Sequence, residues 1–394
     1  MKQPTRDGSV AETGPKACTH AAHPRQHGPL RLGVVGVGHL GRIHARLARL
    51  APDVCLVGVA DLRAAVRDEV AAEAGTRPFA NFLDLANHID AAIVATPTRA
   101  HSPVALELAS RGIHLLIEKP LATTAAEADR LVGACRRSGV TLQVGHVERF
   151  NPALRAALPH IAEPKYIEAV RVSGYPFRST DIGVVLDLMI HDLDVVLSLV
   201  RAPVHAVDAL GLSVLGDYED VAQARLTFAN GCVANLTASR VSYVAKRSMQ
   251  VWTPRSYAAV DFAQRTTTLV HPNRRILDRD FQLDNLSDHE KSSLKDHLFD
   301  ELLAKQTIEA ADCNAIAEEQ QDFFTAIRTG AEPTVSGEQG RDAVAVAEQI
   351  LQSIANHAWD GTADGRKGAF AMPDPAVLHG PRWDGIQQPR RRAG

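Results

Sequence analysis

Cysteine is scarce in this 394-residue sequence: only Cys18, Cys55, Cys135, Cys232 and Cys313 occur. They are scattered, odd in number and form no CxxC pair, so neither a disulfide framework nor a zinc site is expected. Reduced, buried thiols are the expectation. Long apolar runs are also missing, since none approaches the roughly 18 residues that cross a bilayer. The first 29 residues hold Gly, Pro, His and charges where a secretory signal would carry an apolar segment. These absences predict a cytoplasmic protein without membrane insertion. An excess of either charge is lacking too, with 43 basic residues against 46 acidic ones and a formal net charge of -3. That balance excludes a general attraction to nucleic acid or anionic membrane, and no helix-turn-helix signal or basic patch restores one. No internal repeat of fixed period occurs, which excludes solenoids and propellers.

What remains is an ordinary globular composition, 45% apolar and 23% charged, long enough for two domains with a core in each. Residues 1–29 read as a disordered tail, in which His20, His23 and His27 are not expected to hold a metal. Residues 30–146 alternate short apolar strands (31–38, 54–61, 91–97, 114–119, 140–145) with helices (39–50, 62–73, 100–111, 124–138). That alternation predicts a doubly wound parallel sheet covered on both faces. Residues 147–337 change pattern. A helix over 150–158, a strand over 166–174 and a long apolar helix over 184–200 precede strands over 204–214, 221–229, 232–240, 247–252 and 257–262. Consecutive strands predict an α+β domain with a large, mostly antiparallel sheet. Pro254 marks an edge or a bulge. The polar stretch 274–310 reads as an insertion or long loop. Helices return at 312–329 and 340–357; residues 338–358 are expected to pack back on the core and 359–394 to form a mobile tail.

The strongest local signal is Gly36-Val37-Gly38-His39-Leu40-Gly41, a GxGxxG between strand and helix. Gly36 permits the tight turn, Gly38 clears the approach of a pyrophosphate, and Gly41 lets helix and strand meet closely. The helix N-terminus offers N–H groups and a positive dipole to phosphates. Asp61 ends the next strand about twenty residues on, where a carboxylate accepts bonds from both ribose hydroxyls and repels a 2′-phosphate. NAD is therefore expected over NADP, although Arg63 nearby weakens that preference; as an alternative, Asp61 caps a helix. Thr96 and Pro97 follow a strand at the sheet edge where ligands bind and are expected to face the cofactor.

Glu118-Lys119-Pro120 closes another strand at the same edge, beside the expected nicotinamide end. A lysine there can hydrogen-bond an alcohol under oxidation; an isolated strand-end Lys is more commonly a surface residue. In Asp187-Leu188-Met189-Ile190-His191-Asp192, Asp187 and His191 share one face of a helix whose neighbours are apolar. His191 can take a proton at neutral pH, and Asp187 can orient its ring or bind a sugar hydroxyl. A satisfied core histidine is the plain alternative. No third ligand at metal spacing appears, so no metal is expected. Asp192 and Asp194, the remaining acids of this helix, are expected to cap neighbours or bridge to the first domain.

Three motifs, GVGHLGRIHA (36–45), EKPLA (118–122) and DLMIHD (187–192), resemble the Gfo/Idh/MocA oxidoreductases. The resemblance covers roughly residues 30–270 and the closing helices near 312–357. It implies a catalytic set of Lys119, Asp187 and His191, with Glu118 and Lys119 near NAD. It also implies an open-faced second sheet used for homo-dimer or homo-tetramer assembly. GHVERFNPA (145–153), DIGVVLDLMIHDLD (181–194) and TASRVS (237–242) are similar to the bacterial UDP-N-acetylglucosamine 3-dehydrogenase branch. That branch makes a C3 ketone for later transamination toward amino-sugar lipid A. UDP-N-acetylglucosaminuronate, inositol and simple sugar dehydrogenases compete with it, as does a non-catalytic NAD(H)-binding sensor. The tails, the 274–310 stretch and Pro254 depart from the usual pattern. For a nucleotide-sugar substrate, Arg149, Asn151, Arg155, Arg178 and Arg240 could meet a diphosphate or a sugar amide. Arg149 and Asn151 lead because they follow the domain junction.

Overall fold

The computed structural model describes residues 28–177, 181–310, 312–359 and 365–370. The tail expectations for 1–27 and 371–394 lie outside the described residues, as does Arg178. The first half is built from β1 (Leu30–Val35), α1 (His39–Leu50), β2 (Val54–Ala60), α2 (Ala64–Ala74), β3 (Arg77–Phe79), α3 (Phe82–Ala86), β4 (Ala91–Val94), α4 (Thr98–Ser110), β5 (His114–Glu118), α5 (Ala125–Ser138) and β6 (Leu142–Gly145). Its six strands lie in the order β3-β2-β1-β4-β5-β6, all paired in parallel. β4 is buried along its whole length, as a strand covered on both faces must be. Strand order reverses between β1 and β4, which opens a crevice at their C-terminal ends. Sequence pattern missed β3, whose three residues bury only Phe79.

The second half begins with a 3₁₀ turn (Val147–Phe150), α6 (Pro152–Ala157) and β7 (Tyr166–Val172). One turn of π-helix (Val185–Met189) then runs into α7 (Ile190–Val200), where a single long helix was expected. At the start of this π turn the Glu219 carboxylate accepts from the Val185 N–H at 3.1 Å. Gly183 makes room for it, since a Cβ there would stand 2.0 Å from Glu219. Next come β8 (Val204–Leu212), β9 (Val221–Phe228), β10 (Val233–Ser239), β11 (Lys246–Trp252), β12 (Tyr257–Asp261) and β13 (Thr266–Pro272).

The stretch 274–310 is corrected from loop to structure. It holds α8 (Arg274–Leu277), α9 (Asp288–Glu301) and β14 (Leu303–Glu309), and β14 pairs with β13 at the sheet edge. α9 buries no residue, so no apolar stripe betrays it, but its Ser287/Glu290 capping box is a readable start signal. Pro254 is corrected as well: it lies in the turn between β11 and β12, which pair without a bulge.

The eight-stranded sheet has the order β14-β13-β12-β11-β7-β10-β9-β8 and is antiparallel except where β10 meets β7. Burial alternates along β7, β9 and β12, so one face joins the core and the other stays open. The mixed architecture of a Rossmann sheet followed by a mostly antiparallel open sheet is as the sequence predicts. α10 (Ala315–Thr329) sets Phe323 and Phe324 against Leu32, Val34 and Ile93 of the first sheet. α11 (Gly337–Asn356) lies across β8, α7 and α5, and so ties both sheets to one core. Cys135, Cys232 and Cys313 are free thiols; Cys55, half-buried in β2, departs from the expectation because it is disulfide-bonded.

Candidate active site

A cleft of about 540 Å³ runs from the β1–α1 turn, past the ends of β4 and β5, to the π turn, β7 and β11. Gly36, Gly38, His39, Leu40, Asp61, Thr96, Pro97, Glu118, Lys119, Asp187 and His191 all line it. The turn needs its glycines. Gly36 has φ +83° and a Cβ there would lie 2.7 Å from the Ala95 carbonyl oxygen. Gly41 is not in the lining; a Cβ on it would meet the Gly36 oxygen at 1.9 Å, so its service is close helix packing. At Gly38 a Cβ would find only Arg63 Nη2, at 3.6 Å.

Three observations fit a dinucleotide on this side. α1 starts without a side-chain cap or an acidic first turn, which leaves N–H groups for phosphate oxygens. Asp61 accepts from the Val37 N–H at 3.0 Å and the Arg63 N–H at 2.9 Å, tying the ribose-side acid to the glycine turn. Burial works against its charge, yet the bonds from Arg63 and Val37 hold the carboxyl below its usual range. Thr96 Oγ1 is buried without a partner among the described residues. Behind it His101 bridges two turns, with Nδ1 2.8 Å from the Pro120 oxygen and Nε2 2.9 Å from the Thr96 oxygen.

On the opposite side, Lys119 Nζ donates to the Asp187 carbonyl at 2.7 Å and to its carboxylate at 3.2 Å. Asp187 thus holds the lysine, whereas the His191 Nδ1 is buried without a partner among the described residues; the expected orientation of the ring by Asp187 is corrected, because that carboxylate is spent on Lys119. His191 sits edge-on to the buried His146, ring centroids 6.5 Å apart. Burial first, then the charges of Lys119 and Arg171, push the His191 pKa well below 6.5. At neutral pH it is an uncharged base.

Beneath β5 lies a buried set from three elements. Gln320 Nε2 donates to His44 Nδ1 at 2.9 Å, so the His44 proton sits on Nε2 and is donated to Glu118 at 2.7 Å. Burial opposes the Glu118 charge, but His44 holds its pKa down. Glu319 is fully buried, and neither oxygen is bonded among the described residues; burial and the charge of Glu118 push its pKa well up. Ligand atoms of His44, Glu118 and Glu319 lie within 4.8 Å of one another, a spacing a metal could use. The direct His44–Glu118 bond and a protonated Glu319 account for the set without one.

Of the substrate residues expected from sequence, Asp187 and His191 line the cleft, but Arg149, Asn151, Arg155 and Arg240 do not, and that part of the expectation is corrected. Asn151 caps α6 by accepting from the Ala153 N–H at 3.1 Å, and donates to Glu148 and the Phe262 carbonyl. Arg149 pairs with Asp194 and donates to the Thr334 carbonyl. The 3₁₀ turn after β6 swings both away from the cleft lining. Arg155 pairs with Glu318 on the surface, and Arg240 is buried on Asp220 and the Ile182 carbonyl. Sequence reasoning missed Arg171 and Arg247, which do line the cleft. Arg171 is held by Glu148 at 2.7 Å and by both oxygens of Asp192. It had a readable signal: Ile167, Ala169 and Arg171 share the buried face of β7, and a charge at such a position must be paired.

Residues 30–146 match the oxidoreductase family with an NAD-binding Rossmann fold, and residues 170–255 match the GFO/IDH/MocA C-terminal domain. The UDP-N-acetylglucosamine 3-dehydrogenase of Acidithiobacillus ferrooxidans is 36% identical over 326 residues, which span 82% of this chain and 97% of that enzyme. A solved structure of the same enzyme superposes with a TM-score of 0.73 at 35% identity, covering 82% of this chain and 97% of the other. The myo-inositol 2-dehydrogenase of Thermotoga maritima is 25% identical over 354 residues, 82% of this chain and 96% of that enzyme. Levoglucosan dehydrogenase, solved with NADH and levoglucosan, shares the fold at 19% identity and a TM-score of 0.69, over 82% of this chain and 96% of its own. The glycine turn, Asp61 and a match over 82% of its length together make this chain a member of the Gfo/Idh/MocA family of oxidoreductases, with NAD as its cofactor.

Proposed function

We propose that the enzyme oxidises a ring hydroxyl of a nucleotide sugar to a ketone, and that the hydroxyl is C3 of UDP-N-acetylglucosamine. The observation that carries the reading is an uncharged, half-buried His191 in one cleft with Lys119 and the glycine turn. The 36% identity to a UDP-N-acetylglucosamine 3-dehydrogenase supports the substrate. In this account Gly36, Gly38, Asp61 and Thr96 hold NAD, which supplies the hydride acceptor when bound. His191 takes the hydroxyl proton. Lys119, fixed by the Asp187 carbonyl and carboxylate, donates a hydrogen bond to the same oxygen as charge develops on it. The sugar thus loses one proton and one hydride and becomes a ketone, which a later amination could use in making an amino sugar of the lipid A type.

Such a substrate places the reaction in the cytoplasm. Assembly as a dimer or tetramer would use the open sheet face, where Tyr166, Trp252 and Tyr257 stack with ring centroids 4.9 and 5.0 Å apart. NADH absorbance during incubation with NAD and UDP-N-acetylglucosamine, its uronate or myo-inositol tests the proposal. Turnover of the first above the other two is expected; turnover of myo-inositol alone would overturn the nucleotide-sugar reading, and NADH binding without any turnover would make the chain a sensor.

A further inference from the structure

The charges around the cleft nearly all have partners. Asp187 is matched by Lys119, Glu148 by Arg171, Asp61 by Arg63 and Glu118 by His44. Arg247, on β11, is the exception among the cations. It lines the cleft, and among the described residues its guanidinium makes no hydrogen bond or ion pair. Its side chain is solvent-exposed at the start of β11, and its place in the sheet sets a second cation beside it. Arg247 stands directly opposite Arg171 on β7, so the two side chains leave the same face of the sheet, and like charges in that relation repel. Arg171 is neutralised by Glu148 and Asp192. Asp192 feels the charge of Arg247, but both carboxylates form their ion pairs with Arg171. The field of Arg247 also reaches His191, whose charged form it helps to disfavour.

An unpaired guanidinium kept beside another arginine, at the wall of a cleft, is suited to an anion that arrives with the substrate. We propose that Arg247 is the anchor for the diphosphate of the nucleotide sugar. This rests on the nucleotide-sugar reading above and adds the residue that recognises the phosphate. Asp181, a carboxylate in the same lining without an ion pair among the described residues, offers an acceptor to hydroxyl or amide N–H groups, so the phosphate is expected on the Arg247 side. The sequence-favoured Arg149 cannot serve, being spent on Asp194 and the Thr334 carbonyl.

The test uses the full-length enzyme saturated with NAD, so that the dinucleotide's own phosphate site is filled. Binding of UDP, and separately of inorganic pyrophosphate, is measured by calorimetry for wild type, Arg247→Gln and Arg247→Lys, with NAD affinity and melting temperature as folding controls. Loss of a charge-assisted phosphate bond predicts about ten- to hundred-fold weaker UDP binding in Arg247→Gln, with partial recovery in Arg247→Lys. For UDP-N-acetylglucosamine turnover, KM should rise by the same factor and kcat should change less. UDP binding unchanged within about two-fold in Arg247→Gln, or no UDP or pyrophosphate binding by the NAD-saturated wild type, overturns the anchor. Failure of the wider reading looks different: UDP binds through Arg247, yet no UDP-sugar is oxidised.

Discussion

The two walls of the cleft are built in different ways. The cofactor wall is a local object, in which one turn of backbone between β1 and α1 sets Gly36 and Gly38 against the end of β2. The opposite wall gathers side chains from β5, the π turn, α7, β7 and β11. The first wall works by leaving atoms out, the second by pairing charges. A local wall is fragile to added bulk, and an assembled wall is fragile to the loss of single side chains.

The largest effect expected on the assembled wall is from His191→Asn, which should lower kcat by about 10²- to 10⁴-fold with NAD affinity intact. In the wild type, kcat/KM should hold from neutral pH down past 6.5 and fall only below it, because His191 titrates well under that value. Lys119→Ala should follow with a loss of about 10²-fold in turnover, again without a change in NAD binding. Equal loss of both would make the lysine structural. On the local wall, Gly41→Ala should do the reverse. A Cβ 1.9 Å from the Gly36 oxygen must displace the turn, so NAD affinity and stability fall together, the latter by about 1–3 kcal/mol in urea unfolding.

Smaller effects probe what lies behind the walls. The Glu319 carboxyl has its pKa raised by burial and by Glu118. The unfolded chain therefore ionises first as pH rises, and the stability this group contributes is full below the ordinary carboxyl value of 4.5 and is lost as pH climbs from there through the raised value. Glu319→Gln removes that slope, so its stability relative to wild type should improve as pH rises above the ordinary carboxyl range. The least functional effect is expected at Asn151. Asn151→Ala should cost about 1 kcal/mol of stability through the lost α6 cap and leave KM for the sugar unchanged, in contrast to Arg247→Gln.

The same contrast explains what could be read from the sequence. The glycines, Asp61 and the end of β5 are legible because each lies within a strand–turn–helix unit whose period and turn chemistry are visible over a few residues. Lys119, Asp187 and His191 were legible only as motifs, since nothing local says that β5 and the π turn meet. The role of Asp187 could not be read, because a helical wheel assumes regular winding and this segment winds as a π turn instead. Arg149 and Asn151 follow the cofactor edge in sequence but turn away in space, whereas Arg247 is over a hundred residues from β6 and arrives through strand register. The polar helix α9 and edge strand β14 bury too little to leave a pattern.

The account depends most on the two walls meeting at one hydroxyl. A crystal structure of the enzyme with NADH and UDP-N-acetylglucosamine tests this directly. The C3 oxygen is predicted to lie within hydrogen-bonding distance of both His191 and the Lys119 ammonium. A sugar whose hydroxyls touch neither side chain would contradict it.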